Sequence, residues 1–289
     1  MLRRVIPLLL LALLLLPVGT ASAAGGSKEG LLITPIRQFL PVDAGKKVNS
    51  SFTVENISGK PLAVSFSVQQ FSVTNYSYTY TFSRPANDWL HLSLPGASLQ
   101  PRQSLKVPYE LDVPAGSTPG GYYYTLFASA NLAPQGIDST VQTTDLLYLT
   151  VNGKLTRTSH LVRSSIQRLS FGRSIPYQLE PINTGNVYFF AYTSGKLRGL
   201  TAKEPATPDA HLLLPGKVRA IQGSIASPIL PGIYRATFGY KTDAGQSVSQ
   251  SRWVVYIPPW SIAFLLAALL IAGKLFTRRR RSKPEDTNS

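Results

Sequence analysis

The stretch Leu62-Ala-Val-Ser-Phe-Ser-Val-Gln69 places a large apolar side chain at every second position. Successive side chains of a β-strand point to opposite faces, so this period of two predicts a strand with one buried and one solvent-facing side. Helical periodicity is nearly absent between the two apolar ends of the chain. Similar rows, bounded by Gly, Pro, Asn and Ser, recur at residues 52–55, 105–113, 146–151, 175–179, 234–240 and 253–255. The pattern predicts an all-β chain of antiparallel β-sandwiches.

The two halves of the chain share short motifs. Phe52-Thr-Val-Glu-Asn-Ile-Ser-Gly59 recurs loosely as Tyr177-Gln-Leu-Glu-Pro-Ile-Asn-Thr-Gly185, and Pro119-Gly-Gly-Tyr122 recurs as Pro231-Gly-Ile-Tyr234. A repeated turn that opens a strand with Tyr suggests a repeated unit. We therefore expect two tandem immunoglobulin-like domains, at residues 24–152 and 153–256. The alternative is one large sandwich, but each half carries its own signature.

Both ends of the chain are apolar. At the start, Met1-Leu-Arg-Arg4 precedes a short apolar run and Ala21-Ser-Ala23, the pattern of a signal peptide at residues 1–23. At the far end, residues 257–276 are long enough for a transmembrane helix. The alternative for this second stretch is a buried core helix.

The flanks of the second apolar stretch support a membrane span with a cytoplasmic C-terminus. Arg278, Arg279, Arg280 and Arg281 open a basic tail at residues 277–289. Basic residues are retained on the cytoplasmic side. Lys274 could reach the headgroups, and Trp260 suits the opposite interface. The sequence thus predicts an exported, single-pass protein of the cell membrane with an extracellular ectodomain.

Composition narrows the classes of partner. The chain has no cysteine, which excludes disulfides, thiolate metal sites and a Cys nucleophile. The net charge of +15 is uneven, because residues 154–257 hold thirteen basic and four acidic residues. Such a surplus suits anionic lipid, an anionic wall polymer or an acidic partner, and the alternative is a solvated surface without a ligand. Nucleic acid is not expected as a partner of an exported chain.

The order of signal, two sandwiches, membrane helix and basic tail resembles the WxL-interacting proteins of Gram-positive bacteria. The matching motifs include Ile33-Thr-Pro35, Ser51-Phe-Thr-Val-Glu-Asn56, Val73-Thr-Asn75, Leu99-Gln-Pro101, Gly120-Gly121, Pro231-Gly-Ile-Tyr234 and Trp253-Val-Val-Tyr256. The resemblance implies a peptidoglycan-binding first domain and a host-binding second domain before the anchor. The chain departs from the family after Gly121, where Tyr-Tyr-Tyr replaces an aliphatic stretch.

Catalytic groups are scarce. His91, His160 and His211 lie far apart and have no metal-ligand spacing, and no nucleophile elbow or calcium loop is present. We therefore expect a protein that is not an enzyme and binds no cofactor or metal.

Several tyrosines are better candidates for a functional surface than the ionisable residues. Tyr76, Tyr78 and Tyr80 alternate, so we expect them on one face of one strand, either filling the core or stacking on sugar rings. Tyr123 belongs to three consecutive tyrosines, of which at least one must face away from the core. Residues 181–192 are apolar on both strand faces, which suggests a strand covered on both sides, by another chain or by the first domain.

The sequence therefore predicts a membrane-anchored binding or scaffold protein of the bacterial cell surface. Its expected ligand is a wall glycan or a secreted surface protein. The alternative is an accessory subunit that stabilises a membrane or export complex. The oligomeric state stays open.

Overall fold

The computed structural model describes residues 30–131, 140–198 and 209–281, with side chains up to residue 275. The predicted signal peptide and the last residues of the tail lie outside these ranges. Ten strands precede residue 152: β1 Leu31–Thr34, β2 Arg37–Val42, β3 Lys47–Asn56, β4 Leu62–Val73, β5 Tyr80–Ser83, β6 Leu90–Leu92, β7 Gly96–Leu99, β8 Ser104–Asp112, β9 Gly120–Asn131 and β10 Thr140–Val151. Eight follow: β11 Ser159–Ile166, β12 Leu169–Ser170, β13 Ser174–Asn183, β14 Phe189–Arg198, β15 Ala210–Leu213, β16 Ile221–Ala226, β17 Gly232–Thr242 and β18 Ser247–Tyr256. One helix, α1 Pro259–Arg281, follows β18.

The first half of the chain, strands β1–β10, forms a β-sandwich. Sheet I has the order β1-β3-β8-β6, and sheet II has the order β2-β10-β9-β4-β5, with β7 also paired to β4. The sheets enclose one apolar core that includes Phe52, Val107, Leu126 and Leu147. Strand β4 starts with alternating buried and exposed residues, which confirms the period of two from which it was predicted.

The second half, strands β11–β18, forms another sandwich with its own core. Sheet III has the order β11-β13-β16, and sheet IV has the order β12-β18-β17-β14-β15. Leu179, Phe189 and Phe238 are among the side chains of this core. In the described ranges no ladder joins a strand of one half to a strand of the other. The immunoglobulin-like topology and the boundary at residue 152 stay predictions.

Two strand pairs depart from the predicted antiparallel order. Strand β1 pairs antiparallel with β3 in sheet I, whereas β2 pairs parallel with β10 in sheet II. The second half repeats this arrangement, with β11 antiparallel to β13 and β12 parallel to β18. In each half the chain crosses from one sheet to the other between these short strands. In each half, the strand that follows this crossing is therefore parallel to the last strand of the same half.

The predicted transmembrane span is wrong. None of the helices in the described ranges combines the length and the apolar character needed to cross a membrane. The cell-membrane localisation is therefore contradicted.

Because the predicted span is wrong, the roles predicted for the residues that flank it lose their basis. Trp260 is about half exposed at the start of α1, and Lys274 lies in its C-terminal part. The side chains of Arg278, Arg279, Arg280 and Arg281 lie outside the described residues. The alternative of an accessory subunit held in a membrane complex through this helix loses its support in the same way.

Candidate functional site

A row of aromatic side chains crosses the outer face of sheet II, away from the core of the first half. It contains one residue from each of the five strands in the sheet order: Phe39, Tyr148, Tyr123, Phe71 and Phe82. Register places Phe39 opposite Tyr148, Tyr148 opposite Tyr123, and Phe71 opposite Phe82. We call these five residues the aromatic row.

The rings of the aromatic row are in contact along most of its length. Ring centroids are 5.0 Å apart for Phe39 and Tyr148, 5.7 Å for Tyr148 and Tyr123, and 5.6 Å for Tyr123 and Phe71. These separations lie in the range where aromatic pairs attract each other beyond their buried area. Tyr148 and Phe71 are buried and Tyr123 is partly buried, whereas Phe39 and Phe82, at the two ends of the row, are 42% and 43% exposed.

Side chains of the second half cover the middle of the aromatic row. Tyr188, Phe190, Leu212 and Leu214 pack in one cluster with Phe71, Tyr123 and Tyr148. The Tyr188 ring lies 5.5 Å from Tyr148, and the Phe190 ring lies 5.9 Å from Phe39. Neighbouring Phe189 points into the core of the second half. The expectation of a segment covered on both sides, by the first domain among the candidates, is confirmed for Tyr188, Phe189 and Phe190, whereas Tyr192 is 37% exposed.

The predicted strand face of Tyr76, Tyr78 and Tyr80 does not exist. Tyr76 and Tyr78 lie in a turn with φ of 65° and 58°, in the left-handed region, and only Tyr80 belongs to a strand. Thr74 stabilises this turn, because its hydroxyl accepts a hydrogen bond from the Thr79 amide at 3.1 Å. Local side-chain hydrogen bonds of this kind compete with strand pairing. The three tyrosines therefore point to three different environments.

Tyr78 belongs to the contact between the halves. Its hydroxyl accepts a hydrogen bond from the Leu214 amide, and the Arg219 guanidinium lies 4.5 Å from its ring centroid. Burial raises the pKa of Tyr78 to about 12. The same turn docks through its backbone, since the Tyr76 amide donates to the Val218 carbonyl at 2.8 Å. Tyr76 itself is half exposed, while Tyr123 is partly buried in the aromatic row.

Asn186 makes a second contact between the halves. Its side-chain amide donates to the carbonyls of Pro119 and Lys154, each at 3.0 Å, and its own carbonyl accepts from the Gly121 amide at 2.8 Å. A Cβ at Gly120, where φ is 152°, would lie 2.9 Å from that carbonyl. The Pro-Gly-Gly turn therefore has glycine here because the second half approaches its backbone closely.

Strand β5 is the exposed edge of sheet II. All four of its residues are exposed, and the Tyr80 and Phe82 rings stack at 6.4 Å with an interplanar angle of 12°. It pairs with β4 on one side. Within the described ranges its other side receives no backbone hydrogen bond. Sequence reasoning missed Phe82, although the alternation of Tyr80-Thr-Phe82 was a signal that could have identified it.

The described residues show no arrangement for catalysis. No group of three or more His, Asp or Glu side chains there could hold a metal ion. A cleft of about 620 Å³ in the second half holds a single carboxylate, Asp209, among neutral side chains. Asp145 is buried alone in the first half, where its carboxylate accepts a hydrogen bond from Gln38. Burial raises the pKa of Asp145 to about 6.

No protein-family model and no curated protein matches the chain. Solved structures do match it. The YadV chaperone is 13% identical with a TM-score of 0.42, over 78% of this chain and 99% of YadV. The class 5 fimbriae chaperone CfaA is 13% identical with a TM-score of 0.41, over 79% of this chain and 100% of CfaA. The E. coli chaperone DraB is 12% identical with a TM-score of 0.40, over 78% of this chain and 97% of DraB.

The resemblance to WxL-interacting proteins is wrong, because no family model matches the chain. Its motifs, such as Ile33-Thr-Pro35 at the end of β1, mark turns and strand ends that unrelated β-sandwiches also need. The peptidoglycan binding that the resemblance implied is therefore not supported.

Proposed function

We propose that this chain is a non-catalytic binding protein of two tandem immunoglobulin-like domains, and that it binds an extended segment of a partner protein along the outer edge of β5. The observation that carries the proposal is this edge strand, exposed in all four residues, with two aromatic side chains stacked on one face. A secreted surface protein stays the expected class of partner.

The chemistry of a free strand edge defines what can bind there. An edge strand presents a row of unpaired amide and carbonyl groups, which an extended peptide can satisfy by adding one more strand. Strands that avoid such pairing carry charges, proline or bulges on their edges. Strand β5, with the sequence Tyr-Thr-Phe-Ser, carries no charge and no proline, and its ladder with β4 is regular.

The opposite edge of sheet II differs in this respect. Strand β2 contains Arg37 and Pro41, and proline cannot donate a backbone hydrogen bond to an added strand. Phe39 and Phe82 have nearly equal exposure at the two ends of the aromatic row, so the edges differ in backbone chemistry more than in apolar surface. We therefore assign strand addition to β5 alone.

The aromatic row gives the binding edge a rigid support. Phe82 lies opposite Phe71, which is buried under the second half, and Tyr80 contacts the Phe71 ring at 5.6 Å. A binding edge that is already ordered loses less conformational entropy when a partner docks. Residues on the partner at alternate positions would lie against Tyr80 and Phe82, so we expect apolar side chains there.

The test compares Phe82→Lys with Phe39→Lys, a matched control of equal exposure at the far end of the row. Phage-displayed peptides are selected on the wild-type protein and sequenced. We expect apolar residues at alternate positions, binding weakened about tenfold or more by Phe82→Lys, and little change with Phe39→Lys. The amides of residues 80–83 should gain protection from hydrogen exchange when a peptide binds. Equal losses in the two variants, or protection elsewhere, would contradict the proposal.

A further inference from the structure

A second surface lies on the outer face of sheet IV, in the other half of the molecule. Register places Arg198 of β14 opposite Arg235 of β17, and Arg235 opposite Trp253 of β18. Directly paired residues project from the same face, so these three side chains form one transverse row. The next row holds Ile233 opposite Val255. We call these five residues the basic face.

The basic face is open to solvent. Trp253 and Ile233 are 64% and 70% exposed, and both arginines are exposed as well. The alternating residues of the same strands, such as Ala236 and Val254, are buried in the core. The arrangement is therefore a regularly paired sheet face without a covering layer in the described ranges.

Two arginines in direct cross-strand register repel each other. Like charges at opposed positions destabilise a sheet, whereas an interposed anion converts the repulsion into attraction. In the described part of the second half, neither Arg198 nor Arg235 forms an ion pair, and the acidic residues lie elsewhere. Glu180 is on sheet III, Asp209 precedes β15, and Asp243 follows β17. Among the described residues of this half no carboxylate pairs with Arg198 or Arg235, so both guanidinium groups are available to a negatively charged ligand.

The side chains beside the two arginines indicate which other groups a ligand of the basic face should have. Trp and Arg are the residues that most often dominate the binding energy of protein interfaces. Trp253, Ile233 and Val255 form an apolar strip beside the charge row. A small inorganic anion would leave this strip uncovered, whereas a peptide with both carboxylates and apolar side chains would cover all five residues. Arginine also binds carboxylates through two parallel hydrogen bonds.

We propose that the basic face binds an acidic segment of a partner protein, with carboxylates on Arg198 and Arg235 and an apolar side chain on Trp253. This surface is separate from β5 and does not depend on the function proposed for that edge. The thirteen basic residues within 154–257 add a positive field that would speed the encounter with an acidic partner.

The probe is a short labelled peptide of alternating Glu and Leu, compared with one of alternating Lys and Leu, on the whole protein. The acidic peptide should bind, and binding should weaken as salt is raised. Arg235→Glu should weaken it about tenfold or more, and Trp253→Ser should weaken it severalfold. Arg163→Glu, an exposed arginine on sheet III with the same change in net charge, is the control and should have little effect.

Folding is checked separately. Arg235→Glu places a carboxylate opposite Arg198, so its melting temperature should equal or exceed that of the wild type. The proposal is overturned if Arg163→Glu weakens binding as much as Arg235→Glu, since net charge alone would then explain it. It is also overturned if the acidic peptide fails to bind at millimolar concentration, or if only vesicles of anionic lipid retain the protein.

Discussion

Asp145 is an ionisable residue placed where a core normally has an apolar one. It lies on strand β10 among buried neighbours and shows no exposed surface. Gln38 donates a hydrogen bond to one carboxylate oxygen, and the Tyr109 hydroxyl donates to the Gln38 carbonyl oxygen at 3.1 Å. The other oxygen of Asp145 has no partner. Because burial penalises the charged form, the pKa of Asp145 rises from 3.8 to about 6.

This shift predicts a stability that depends on pH. A carboxyl whose pKa is higher in the folded than in the unfolded state binds its proton more tightly when folded. Its contribution is therefore greatest below about pH 4, declines as the pH rises towards 6, and is constant above. A shift of this size corresponds to roughly 2–3 kcal/mol of unfolding free energy.

Urea denaturation of the wild type and of Asp145→Asn between pH 4 and pH 7 measures this contribution. The wild type should lose stability relative to the variant across the interval, because the amide is neutral throughout and can still accept from Gln38. Asp88→Asn removes an exposed carboxylate and serves as the control. Parallel pH profiles for wild type and Asp145→Asn would show that Asp145 does not titrate in this interval.

At the scale of single elements, the turn between β4 and β5 shows how a strand pattern can mislead. The alternation of Tyr76, Tyr78 and Tyr80 satisfies the period of a strand as well as β4 does. Alternation records which side chains could share a face, but not whether the backbone stays extended. Here Thr74 and Thr79 close a turn, with the Thr74 amide donating to the Thr79 carbonyl at 2.9 Å.

Tyr78→Phe tests the role of this turn. It removes the hydroxyl that accepts from the Leu214 amide but keeps an aromatic ring beside Arg219. A buried amide without an acceptor costs about 1–3 kcal/mol. We expect that loss in the unfolding free energy measured with urea, and almost none for Tyr76→Phe, whose side chain is half exposed. Equal stabilities of the two variants would place Tyr78 outside the contact.

For the whole molecule, the sequence predicted which segments form strands better than it predicted which strands lie side by side. Period-two rows identified most strands, and the two-sided apolar pattern of residues 181–192 identified a covered segment. The aromatic row was not predictable, because its five members come from five strands and meet only through register. Phe39 and Tyr148, for example, are neighbours because β2 runs parallel to β10, an arrangement that no local pattern records.

The Asn186 side chain binds the short connection between the two halves, residues 153–158. Its Oδ1 accepts from the Thr156 amide at 2.8 Å, and its Nδ2 donates to the Lys154 carbonyl at 3.0 Å. Asn186→Ala removes both bonds and the one to Pro119. Local opening of residues 153–158 should then become easier by about 1–3 kcal/mol, since each lost partner leaves a polar group to be satisfied elsewhere.

Trypsin measures that opening directly, because it cleaves after Lys154 and Arg157. We expect cleavage at these two positions, identified by the masses of the fragments, to be about tenfold faster or more in Asn186→Ala than in the wild type. Asn152→Ala is the control: it loses one exposed hydrogen bond to Asp43 at the same connection, without a bond to the second half. Its cleavage rate should stay close to that of the wild type. If both variants were cleaved equally fast, the connection would open independently of Asn186, and the packing on the aromatic row would be the main contact holding the halves together.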